Sequence, residues 1–223
     1  KNIKGFFYPT CYPYKNNKLL DINIIHLILS KEKNSEKLLN FIMDHLNTNQ
    51  RKIFLKIDFI IKKIKKYKSY DDEKTKIIKK LLQSYLPEKI KSQILKLIIF
   101  KVFKKTQIPS VNNFYLSINQ IKKLNEEGHE IGLHGFKHNR YEFMNLLEQN
   151  EDINKSKIFW NNILKNKKNW SLCYPFGSHN SLTKKLLKKH KIQFAFTTQK
   201  GSNLDPYNNI LMLKRWDTND LLN

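Results

Sequence analysis

Two histidines four residues apart, His134 and His138, are the residues of this chain whose types and spacing point most directly to chemistry. Imidazoles at that spacing lie on one face of a helical turn and can grip a single divalent metal ion. Spacing alone is a weak signal, so the neighbouring residues decide its weight. Gly128-His129-Glu130-Ile131-Gly132-Leu133 reads as a helix-ending glycine followed by a short apolar strand, which places the pair at that strand's C-terminal tip. Barrels of alternating strands and helices keep their chemistry at such tips.

Downstream, Ser171-Leu172-Cys173-Tyr174 reads as a strand that stops at Pro175-Phe176-Gly177-Ser178, a turn expected to expose backbone N–H groups to an oxyanion. With His134-x-x-x-His138 ahead of Tyr174-Pro175-Phe176-Gly177, the chain resembles the NodB-homology polysaccharide deacetylases, carbohydrate esterase family 4. Phe194-Ala195-Phe196-Thr197-Thr198 is similar to that family's next strand. Leu213-Lys214-Arg215-Trp216-Asp217 is similar to its late arginine-containing segment, and the stretch from Ile3 to Thr10 to its second strand.

The resemblance implies an α/β fold, a distorted (β/α)7-type barrel incomplete at its N-terminus. It also implies a divalent metal held by His134 and His138, with Zn²⁺ the expected ion and Co²⁺, Mn²⁺ or Ni²⁺ as alternatives. Backbone N–H near Tyr174 would hold the oxyanion, Arg215 would orient the catalytic aspartate, and Pro175, Phe176, Gly177 and Trp216 would contact the sugar. Tyr12, Tyr14 and Tyr174 could line the same cleft, with Tyr174 the best placed by its motif. Family members carry a Thr-Phe-Asp-Asp-Gly strand end before the segment matching Ile3 to Thr10. There the first aspartate is the general base and the second the third metal ligand. The chain starts at Lys1, too late to include that strand, so it is expected to be a piece of a longer protein and a poor catalyst alone. Asp71-Asp72, between Ser69 and Glu73, instead read as first-turn acids of a helix with a capping box. The family's late histidine, the general acid, is also missing from Leu211-Met212-Leu213-Lys214; His179 is weighed as a stand-in against a lone surface histidine.

The other ionisable residues read as structural. His26, His45, His129 and His190 have no ligand partner nearby in sequence, and Glu126, Glu127 and Glu130 flank a helix end and a strand start without a neighbour that would perturb their ionisation. Cys11 and Cys173 are too few for a disulfide framework, which favours small buried thiols in a reducing, cytoplasmic setting while leaving the compartment open. A formal charge of +23 would ordinarily suggest a polyanion partner. Lysine, asparagine and isoleucine are raised together while arginine is scarce, the mark of AT-rich coding rather than of phosphate selection. Lys62-Lys63, Lys65-Lys66 and Lys188-Lys189 therefore read as solvated helix faces, and no specific nucleic-acid partner is expected. No apolar stretch is long enough to span a membrane, since Lys96 and Lys101 interrupt the nearest one.

These sites must be positioned by three regions. Ile3 to Thr10 reads as a strand and Cys11 to Asn17 as a loop. From Leu19 to Lys105 the apolar spacing is helical throughout, as at Ile77, Ile78, Leu81 and Leu82, with a break at Pro87. From Ser117, where Gln120 completes a capping box, helices alternate with short strands. The expected organisation is a deacetylase barrel from 1–14 and 108–223, with residues 15–107 as a large all-helical insertion. The function expected is hydrolysis of an N-acetyl or other N-acyl group on a sugar in surface-polysaccharide or cell-envelope metabolism. A catalytically dead glycan-binding relative is the alternative, and a basic nucleic-acid or membrane-surface binder the third. Oligomeric state is left open.

Overall fold

A computed structural model describes residues 3–66, 70–103, 108–165 and 167–220. The chain divides into two compact units, one from Lys1–Lys18 with Ser110–Asn223, the other Leu19–Pro109.

The first unit is built on parallel strands: β1 (Phe6–Phe7), β2 (Glu130–Ile131), β3 (Trp170–Cys173) and β4 (Ile192–Phe196). β1 pairs with β2 in the register Phe6 to Glu130, and β3 with β4 in the register Leu172 to Ala195. Single parallel bridges join Leu133 to Leu172 and Phe196 to Leu213, so five segments follow one another in one row. All of β3 is buried, as a parallel strand covered on both faces should be. The row is strongly curved. β1 and β4 would stand about 14 Å apart as third neighbours in a flat sheet. Yet the Phe6 and Phe194 rings meet edge-on at 5.7 Å, and Tyr8 reaches Phe196 at 6.1 Å. Gly132 lies under this concave face, where a Cβ would come within 2.1 Å of the Tyr8 ring and 2.6 Å of Ser171 Oγ.

Helices Ile118–Glu126, Leu146–Leu164 and Ser181–Lys189 make the crossovers. Their starts are fixed by capping boxes at Ser117 with Gln120, Asn145 with Glu148, and Asn180 with Thr183. Their apolar faces close on Ile131, Leu133, Trp160, Trp170, Leu172 and Ala195. The strand expected over 3–10 is ladder-paired only at Phe6–Phe7, and in place of the incomplete barrel expected the described strands form two two-stranded sheets linked by single bridges. The stretch expected as a loop winds into a single turn of helix, Tyr12–Asn16, because Pro13 is tolerated in a first turn; it ends at Asn17 with φ 50°.

The second unit is helical: Asp21–Lys31, Ser35–Asn49, Arg51–Phe54, Ile57–Lys65, Glu73–Lys80 and Glu88–Phe103, with a π-helical turn at Leu81–Tyr85 before Pro87. Ile42, Leu46, Ile78, Leu82, Ile94 and Ile98 form its core. Ser69 lies outside the described residues. Asp72 is itself the N-cap of the helix at Glu73, accepting the Thr75 N–H at 3.0 Å, while Asp71 pairs with Lys79 at 2.6 Å.

Candidate functional site

His134 follows directly on Leu133, whose N–H and C=O bond to Ser171 and Cys173 across β3. The chain then leaves the sheet in a bend, with Gly135 at φ 69° and His138 at φ 58°. The helical turn expected to align the two imidazoles is therefore absent; left-handed residues at 135 and 138 bring the rings together instead. Their centroids lie 4.7 Å apart, edge to face. The Cys173 carbonyl can only accept, so at 2.6 Å it fixes the proton of His134 on Nδ1 and leaves Nε2 with a free lone pair. Desolvation lowers the His134 pKa, against the carbonyl bond and with Arg215 adding to the lowering. Desolvation, followed by His134 and Arg140, brings His138 down to about 3. Both rings are thus neutral at physiological pH, the form that ligates metal.

The second segment packs directly against this pair. Phe176 has φ 57° and Gly177 φ 67°, so two successive left-handed residues turn the chain back. The Phe176 ring lies 4.4 Å from His138, with the Arg140 guanidinium 5.1 Å away on it. Arg140 also bonds Glu142 at 2.7 Å, and the Glu142 N–H donates to Ser178 Oγ at 3.0 Å. The turn's own donors are largely used. The N–H groups of Gly177 and Ser178 bond the carbonyls of Tyr174 and Pro175.

Tyr174 needs correction on two counts. Its N–H, expected to face an oxyanion, donates to the Phe196 carbonyl at 3.0 Å as part of the strand ladder. Its side chain, expected against the sugar, is 1% exposed and donates to the Leu211 carbonyl at 2.7 Å. Pro175 is buried as well, whereas Phe176 and Gly177 are partly open and Trp216 is exposed. Arg215 donates from Nε to the Thr197 carbonyl at 2.9 Å, and its charge is felt at His134. Among the described residues, no group of three His, Cys, Asp or Glu side chains could hold a metal ion. The two neutral imidazoles fit a divalent ion as two of its ligands.

Asp152 was not anticipated. It lies on the inner stripe of helix Leu146–Leu164, with Gln149, Ile153, Ser156 and Trp160. Its two oxygens accept the Phe136 N–H at 3.1 and 3.0 Å, and one also accepts the Tyr141 hydroxyl at 2.8 Å. Desolvation raises its pKa, against those bonds. The signal available was an acid in register with a helix's apolar positions at i, i+3, i+4 and i+7.

The remaining candidates make contacts away from the imidazole pair. His129 Nδ1 accepts the Gly5 N–H at 2.9 Å, and His190 Nε2 meets Asn150 Oδ1 at 2.9 Å. His179 stands with its ring 5.3 Å from that of Tyr174. Glu130 bonds Lys167 at 3.0 Å and accepts from Ser171 at 3.2 Å. Both cysteines are free and buried, and burial pushes the Cys11 thiol up to about 12.

The chain belongs to the polysaccharide deacetylase family, whose profile matches residues 70–195. A comparison with curated proteins returned no match. Among solved structures it is similar to IcaB from Ammonifex degensii, at 21% identity over 37% of this chain and 40% of that one, with a TM-score of 0.33. It is also similar to the BpsB deacetylase domain from Bordetella bronchiseptica, at 17% identity over 50% of this chain and 51% of that one, TM-score 0.41. The Streptococcus pyogenes deacetylase PplD, solved in complex with acetate, aligns over 98% of this chain and 96% of that one at 13% identity, TM-score 0.43. The chain thus spans about half or less of the first two of these structures.

Proposed function

We propose that this protein removes N-acetyl, or another N-acyl, groups from a sugar in surface-polysaccharide or cell-envelope metabolism, with a divalent ion bound at His134 and His138. The observation that carries the reading is the facing pair of neutral imidazoles, 4.7 Å apart, inside a chain of the polysaccharide deacetylase family. When bound, Zn²⁺ or a similar ion supplies a Lewis acid and lowers the pKa of water. The protein's own residues do the rest. The Cys173 carbonyl holds His134 in the tautomer that presents Nε2. Phe176 walls the site on the His138 side. Arg215 adds positive charge beside His134, where an anionic group of the reaction would be favoured. Trp216, Phe176 and Gly177 offer the accessible surface for a sugar. On this reading 1–14 and 108–223 form the deacetylase barrel, a reading supported by the meeting of Phe6 and Phe194, and 15–107 are a helical insertion.

The lack of a third ligand beside the two imidazoles among the described residues favours a second reading, a glycan-binding relative without turnover. One experiment separates the two. The native polypeptide, loaded with Zn²⁺, Co²⁺ or Mn²⁺, is given N-acetylglucosamine oligomers and released acetate is measured. Release that His134→Ala abolishes supports the hydrolase. Oligomer binding without release, unchanged in His134→Ala, supports the binding protein.

A further inference from the structure

In the helical unit, the stretch that runs through Arg51–Phe54 and Ile57–Lys65 presents two unlike faces. Ile57 and Ile64 are buried, and Ile53, Phe54, Ile60 and Ile61 pack partly against the same core, so one face is anchored. The other face carries Lys52, Leu55, Lys56, Phe59, Lys62, Lys63 and Lys66, all exposed and recurring every three to four residues. Leu55 is 69% exposed and Phe59 62%, and the Lys63 ammonium sits 4.5 Å over the Phe59 ring. From 52 to 66 there are six lysines and a single acid, Asp58. Lys65 turns aside to pair with Glu73 at 2.9 Å.

Solvated lysines alone would follow from the composition of the chain. Leu55 and Phe59 stand uncovered in their midst, an apolar pair four residues apart on one face and ringed by cations. We propose that this face docks on an anionic phospholipid surface, with Leu55 and Phe59 entering the headgroup boundary and the lysine ammonium groups meeting lipid phosphates. Charge complementarity selects the anionic bilayer. Nucleic acid would answer the lysines but leave Leu55 without a contact. Combined with the deacetylase reading, on which this second step rests, the docking narrows the substrate to a glycan presented at a membrane, lipid-linked or envelope-bound.

The test uses the full chain, without metal or glycan, so its outcome is independent of catalysis. Partition is measured onto phosphatidylcholine vesicles and onto the same vesicles doped with phosphatidylglycerol, for the parent, Leu55→Ser/Phe59→Ser and Lys62→Glu/Lys63→Glu. Circular dichroism confirms that each variant, altered only at exposed positions, remains folded. The expected result is partition on the order of tenfold stronger onto the anionic vesicles, most of it lost in either double variant. Equal partition onto both vesicle types would overturn the proposal. So would parent-like binding by Leu55→Ser/Phe59→Ser, or single-stranded DNA outcompeting the vesicles for the same face.

Discussion

The Asp152 carboxylate holds the Phe136 backbone N–H with both oxygens, at 3.1 and 3.0 Å, from beneath the loop that carries His134 and His138. One of those oxygens also accepts the hydroxyl of Tyr141, which is fully buried. Removing the carboxylate leaves the part-buried Phe136 N–H and the buried Tyr141 hydroxyl without this acceptor, at about 1–3 kcal/mol each. Asp152→Ala should therefore lose about 2–4 kcal/mol of stability, measured by urea unfolding, and loosen the histidine loop. A loss below about 0.5 kcal/mol would show that the loop holds its shape without it.

The same residue gives a pH dependence of definite sign. Burial raises the Asp152 pKa above its ordinary 3.8, so over the interval above 3.8 the folded chain keeps a proton that the unfolded chain has lost. Its contribution is present in full below 3.8 and is lost as pH rises through the folded value. Relative to Asp152→Asn, which does not titrate there, the parent should gain stability as pH is lowered from 7 toward 4. Unfolding curves at several pH values check this, and a parent that loses stability relative to Asp152→Asn on acidification would contradict it.

The Cys173 carbonyl bond and the burial of His138 make a spectroscopic prediction. Nitrogen-15 NMR of the metal-free protein should show His134 with its proton on Nδ1, and His138 neutral down to pH 5, since burial and its charged neighbours bring it to about 3. A titration of His138 near its ordinary 6.5 would refute the arrangement.

Gly132 is predicted to be intolerant of a methyl group. A Cβ there would lie 2.1 Å from the Tyr8 ring and 2.6 Å from Ser171 Oγ. Gly132→Ala should cost about 1–3 kcal/mol through overpacking, and Tyr8→Ala in the same chain should recover part of that cost. Additive losses in the double variant would mean the two side chains do not meet.

Both thiols should resist modification in the folded state. Desolvation raises Cys11 to about 12 and raises Cys173 as well. Little thiolate is present at pH 8, and Ellman's reagent should react with them only as fast as the chain unfolds.

Part of the candidate site's geometry is legible in the residues. His134 and His138 do meet, but through left-handed residues at 135 and 138, because local spacing carries no record of where backbone φ turns positive. The turn at Pro175 is readable from its residues. The commitment of the Tyr174 N–H is not, since its acceptor Phe196 arrives on the next strand. Asp152 is hidden because an acid in a helix normally faces water, and only its register with Ile153, Ser156 and Trp160 marks it as inward. The helices that bury Ile42, Ile78 and Ile94 follow from periodicity, while the π-helical turn at Leu81–Tyr85 and the uncovered Leu55 and Phe59 depend on packing that periodicity does not describe.

The most direct measurement is a Co²⁺ titration followed by visible absorption, on the parent, His134→Ala and His138→Ala. Saturable binding at one ion per chain, with nitrogen-ligand bands, is expected in the parent and lost in both variants. Absorption unchanged by either substitution would contradict a metal site built on this pair.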